Sequence, residues 1–132
     1  MLADGYEPRF DRDYSFGRDG EKDFDTLLEA VAKGYLRVEV KRKRARDCEL
    51  YVETEQNAYG RGDWKPSGIN VCTAEYVAFE FDTTGSYFLT PTDRILHAID
   101  LGLGRGAACG GSNPTRGRLL NLGLLISTRC DQ

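Results

Sequence analysis

The chain has 132 residues, 40% of them hydrophobic, with 18 Lys and Arg against 21 Asp and Glu and a formal net charge of −3 at pH 7. That length is enough for one domain with a real core and short for two. The small negative charge does not exclude a polyanionic partner, because charge is segregated: residues 1–30 hold nine acids and four bases, residues 31–46 one acid and seven bases. Cys48, Cys72, Cys109 and Cys130 are too far apart for a compact zinc site and read as free thiols. No secretory leader precedes the charged start, so a cytoplasmic setting is expected.

The first twenty residues mix Asp, Arg, Gly and aromatics and predict an irregular arm. A helix is expected from near Gly20, where Phe24, Leu27, Leu28 and Val31 recur at helical spacing and Glu21 and Asp25 share a flank. Gly34 is a natural end for it. Residues 36–43, LRVEVKRK, predict a strand. With period two, Arg37, Glu39 and Lys41 share one face, while Leu36, Val38 and Val40 point towards a core. A carboxylate on the charged face can hold a divalent cation, and a lysine two residues on can orient a water or stabilise charge on a phosphoryl oxygen.

Arg42, Lys43, Arg44 and Arg46 fall at or near the turn into a second strand and are expected to contact successive phosphates, adding affinity without reading base sequence. That strand, residues 49–55, turns Leu50 and Val52 inward and Tyr51, Glu53 and Glu55 outward, and alternation can set Glu53 beside Glu39. Residues 57–70 hold three glycines, a proline and a tryptophan and read as a long loop. Thr73 is expected to cap a short helical turn. Strands are then expected at residues 76–81 and 87–90, joined by a turn at Gly85, followed by a helix over 93–99 capped by Thr92.

The glycine-rich residues 102–117 are expected to be loop. GLGRGA is no phosphate-binding signature, since it has neither GK[ST] nor a strand-to-helix context. Residues 119–126, LLNLGLLI, are too short and interrupted to cross a bilayer and are assigned to core or interface; no membrane partner is expected. Tyr51 and Trp64 read as core or rim aromatics before base-stacking ones. Ser67 has no neighbouring base to activate it, and His97 sits in an apolar helix.

Glu39-Val40-Lys41, LYVE at residues 50–53 and KPSGI at residues 65–69 form an ordered set that resembles nucleases of the PD-(D/E)XK superfamily, particularly small phage or Holliday-junction-resolvase-like members. The likeness spans roughly residues 16–99. It implies an α/β restriction-endonuclease-like core, a central mixed β-sheet flanked by helices, in a homodimer that cuts DNA phosphodiesters. Glu39 and Lys41 match the acidic residue and lysine of the third motif, and Glu21 resembles the helical glutamate of resolvase-like members. The expected metal set is Glu21, Asp25, Glu39 and Glu53 around Mg²⁺, with Mn²⁺ as a substitute, and Glu39, Lys41, Glu53 and Glu21 as the catalytic groups.

One element departs from the pattern, because no strand Asp precedes the Glu-x-Lys strand. Either Asp25 or Asp23 replaces it from the helix, or Glu39 takes the first acidic position and Glu53 and Glu55 the later one. The alternative function is a non-catalytic nucleic-acid-binding or viral assembly protein using the same basic strip.

Overall fold

A computed structural model of the protein describes the backbone of residues 8–44 and 47–127, and side chains from residue 17 onward apart from 45–46. The chain divides into two compact units, residues 1–36 and residues 37–132.

The first unit carries helix α1, Pro8–Ala32. From residue 8 onward the expected irregular arm is helix instead. Proline is favoured at a first helical position, where its missing N–H costs no hydrogen bond, and Gly17 and Gly20 sit in open space on the helix. The end falls where the sequence placed it: Gly34 has φ +77°, its N–H donates to the Val31 carbonyl (3.0 Å) and the Tyr35 N–H to the Ala30 carbonyl (2.8 Å), a Schellman closure.

In the second unit β1 (Val38–Lys43), β4 (Tyr76–Phe81) and β5 (Ser86–Pro91) form a mixed sheet in the order β1-β4-β5. β1 runs parallel to β4, and β4 antiparallel to β5. An antiparallel sheet in the order β3-β2-β7-β6 joins β2 (Glu49–Asn57), β3 (Trp64–Pro66), β6 (Arg105–Cys109) and β7 (Thr115–Asn121). Helices α2 (Thr92–Asp100) and α3 (Leu122–Ser127) complete an α/β unit. Its core draws on both sheets and both helices: Leu50, Val52 and Leu120 meet Val77, Phe79, Ile95, Ala98 and Leu125. β4, the middle strand of three, is buried on both faces at Val77, Ala78 and Phe79. None of the described helices is long and apolar enough to cross a membrane.

Three local expectations change. The stretch 57–70 contains β3 and two 3-10 turns, Ala58–Gly60 and Gly68–Val71, so the helical turn assigned to Thr73 ends before it. Thr92 does not cap α2; Pro91 holds that position, and the Thr92 hydroxyl donates to the Ala74 carbonyl at 2.7 Å. Half of the glycine-rich stretch is strand, β6 and the start of β7. Gly117 belongs there because a Cβ would strike the backbone of Val52 and Glu53 across the sheet, so its absence lets β7 lie close to β2. The apolar residues 119–126 supply core, as one of the two expectations had it: Leu120 and Leu125 are fully buried, and Ile126 is left 64% exposed.

Candidate functional site

β1 and β2 follow one another in sequence without pairing. β1 bonds only to β4, and β3 covers β2 only from Glu55 to Asn57, so residues 49–53 have a strand partner on the β7 side alone. A cavity of about 570 Å³ opens between the two strands. Its floor is the exposed end of the core, including Leu50, Val52, Val77, Phe79 and Ile95, and its rim is charged. Sheet pairing therefore does not set Glu53 beside Glu39, contrary to the expectation from alternation. Both carboxylates nonetheless border this one cavity, together with Lys41, Lys43 and Arg44.

On the β1 side, the shared face of Glu39 and Lys41 holds as expected, and the two meet at 2.6 Å. A hydrogen bond from the Cys72 thiol, the largest influence, and the Lys41 ammonium hold the Glu39 carboxyl below the usual carboxylate range against a small opposing effect of burial. Burial first, and the Glu39 carboxylate second, push the Cys72 thiol up, and the thiol donates to the Ala74 carbonyl at 3.9 Å. The apolar side of β1 departs from expectation: Val40 is 55% exposed, whereas the Lys43 side chain is only 12% exposed. β1 is an edge strand, and its charged face is the one turned to the cavity.

The bases are unequally committed. Lys43 pairs with Asp47 at 2.9 Å, and Asp47 also accepts the Glu49 N–H at 3.0 Å; these two contacts lower the Asp47 pKa. Arg42 forks onto Glu80, its cross-strand neighbour on β4, at 3.2 and 3.3 Å. For Arg44 no ion pair is found among the described residues, and Arg46 lies outside them.

On the β2 side, a β-bulge between Glu53 and Glu55 breaks the expected alternation. Glu55 pairs with Arg116 at 2.8 Å and is not part of the cavity lining. Thr54, the bulged residue, offers its carbonyl to the Ser67 N–H (2.9 Å) and the Asn70 side-chain amide (3.0 Å). Gly68, with φ +56°, fits against Glu53 where any Cβ would overlap its backbone. The KPSGI segment thus fixes the Glu53 backbone, while among the described residues the Glu53 carboxylate has no ion pair.

The two aromatics are already engaged: the Tyr51 hydroxyl meets the Thr115 hydroxyl at 2.8 Å, and the Arg116 guanidinium sits 4.2 Å from the Trp64 ring centre. Arg105, read from sequence as part of a loop, borders the cavity from β6 and pairs with Glu49 at 2.9 Å. Cys72 had no sequence signal, whereas Asp47 stood four residues from Lys43. Glu21 and Asp25 lie one turn apart on the exposed surface of α1, within the first unit. Cys48, Cys72 and Cys109 are free thiols, and Cys130 is outside the described residues.

Among the described residues no group of three or more His, Cys, Asp or Glu is gathered to hold a metal ion. Four carboxylates line the cavity, Glu39, Asp47, Glu49 and Glu53; the first three are paired with Lys41, Lys43 and Arg105, and oxygen donors of this kind suit Mg²⁺, which takes one or two carboxylates and completes its shell with water and substrate phosphate. Comparison with known protein families, curated proteins and solved structures finds no match to this chain.

Proposed function

We propose that the cleft between β1 and β2 is the active site of a metal-dependent endonuclease acting on DNA, built on a restriction-endonuclease-like core. The observation that carries this reading is the meeting of Glu39, Lys41 and Glu53 at one cavity, with Lys43 and Arg44 beside them. Glu39 and Glu53 would hold Mg²⁺ or Mn²⁺, which when bound would acidify a water and offset phosphate charge. Lys41 exchanges its contact with Glu39 for a phosphoryl oxygen or the attacking water. Arg44, which has no ion pair among the described residues, takes a backbone phosphate through its planar fork. Arg46 extends the same basic run. A homodimer belongs to this proposal, so that two sites act on opposite strands; its apolar contact would have to use Ile126 and not the buried Leu125.

The test is cleavage of a panel of single-stranded, duplex, flapped and four-way DNA with Mg²⁺ or Mn²⁺. Wild type is expected to cut at least one substrate, and folded Glu39→Gln, Glu53→Gln and Lys41→Ala each to lose at least about tenfold in rate. Glu21→Gln and Asp25→Asn in the same assay test the helix acids of the expected set. No metal-dependent cutting across the panel rejects the enzyme.

The second reading, a non-catalytic nucleic-acid-binding or viral assembly protein, is favoured by one observation: Glu39 is already neutralised by Lys41, and among the described residues no group of three or more ligating side chains is gathered. It requires salt-sensitive binding without turnover.

A further inference from the structure

We infer that the loop between β2 and β3 is a stacking site for an unpaired nucleobase, with the Tyr59 ring as the platform and Arg61 and Lys65 as its cationic neighbours. The inference rests on a nucleic-acid partner, as proposed above, but needs neither a metal nor cleavage.

Tyr59 has φ 59° and ψ 16°, and among the described residues it is the only non-glycine with positive φ. For a bulky side chain that conformation is disfavoured. The chain uses glycine for the same region of conformational space at Gly60 and Gly62 close by, so the tyrosine stands where glycine would fit better. Its conformation is imposed from outside. The Tyr59 N–H donates to the Asn113 side-chain oxygen at 3.0 Å. Buried Asn57 accepts from the Gly62 and Asp63 N–H groups at 2.8 and 3.2 Å and donates its own N–H to the Pro114 carbonyl at 2.8 Å.

All this fixes a ring that the core does not use, because Tyr59 is 72% exposed. A strained aromatic that stands outside the core is the pattern expected where a side chain is held ready for a ligand. The Arg61 guanidinium lies 5.2 Å from the ring centre, and Lys65, paired at 3.5 Å with Asp63, is exposed. An exposed aromatic plane with a cation beside it, and a further exposed lysine on the strand that follows, is a device for holding single-stranded nucleic acid, in which bases stack and phosphates meet the charges. Duplex DNA offers no free base face, so the site selects unpaired segments.

The experiment is fluorescence anisotropy, without divalent metal, of a labelled oligothymidine and a duplex of equal length, alongside urea denaturation. Wild type is expected to bind the single strand. Tyr59→Gly should weaken that binding at least about fivefold with an unchanged or higher urea midpoint, since glycine takes this backbone conformation freely. Tyr59→Phe, which keeps the stacking face, should bind within about twofold of wild type. Unaltered single-strand binding by Tyr59→Gly overturns the inference, as does a fall in its urea midpoint together with affinity, which marks a structural tyrosine. Wild type binding duplex alone overturns the stacking site and leaves the proposed nuclease standing. Binding of neither DNA overturns the stacking site, while the proposed nuclease stands or falls on its own metal-dependent cleavage panel.

Discussion

Glu39 and Glu53 border one cavity from two strands, and they are held in opposite ways. Glu39 sits on an edge strand with its side chain engaged by Lys41 and Cys72. Glu53 sits on a strand locked on one side by β7 and on the other by Gly68, with its carboxylate unpaired among the described residues. One side of the cleft has settled charge on a free backbone edge; the other has free charge on a settled backbone. In the proposed site a ligand that brings its own positive charge would meet Glu53 first, and Glu39 would exchange Lys41 for it.

Damaging the backbone support of Glu53 should have the largest effect. Gly68→Ala combines a left-handed φ with overlap against Glu53 and is expected to lower unfolding free energy in urea by about 2 kcal/mol or more. Gly62→Ala, with φ +78° but open space around it, should cost only about 1 kcal/mol. Equal losses would show that contact with Glu53 adds nothing to the strain.

The side chains should behave in the reverse order. Glu39→Gln removes one partner of a partly exposed ion pair and should cost about 0.2–1 kcal/mol, whereas Glu53→Gln should stay within about 0.5 kcal/mol of wild type. A larger loss at Glu53 would reveal a partner for its carboxylate and remove the contrast between the two sides.

The smallest effect is in pH. The folded-state pKa of Glu39 is lowered, so its contribution is present above the unfolded value, about 4.3, and is lost as pH falls through the folded value. Urea midpoints between pH 6 and pH 3 should therefore fall slightly less steeply in Glu39→Gln than in wild type. Parallel curves would mean that the contacts with Cys72 and Lys41 do not persist in solution.

How much of this was legible from sequence depends on how local the cause is. The strand at Tyr76–Phe81 and the end of α1 at Gly34 follow from apolar run length and a left-handed glycine. The common face of Glu39 and Lys41 follows from a period of two. The departures have causes distant in sequence. Thr92 donates to Ala74 across the unit, and Gly117 is a strand residue because Val52 leaves no room for a Cβ. Reading residues 102–117 by composition alone hid β6, and with it Arg105 on the cavity rim. Alternation alone could not reveal that β1 and β2 separate, because that depends on which other strand claims each edge: β4 for one, β7 for the other.

The most direct measurement of the proposed site is Mn²⁺ binding followed by electron paramagnetic resonance, without DNA, for wild type, Glu39→Gln, Glu53→Gln and, as a control on an acid outside the cavity lining, Glu55→Gln. A metal site in this cleft requires that wild type and Glu55→Gln bind one ion with similar affinity and that Glu39→Gln and Glu53→Gln each weaken it by about tenfold or more. Binding left unchanged by both cleft substitutions, or no binding by wild type, would contradict it.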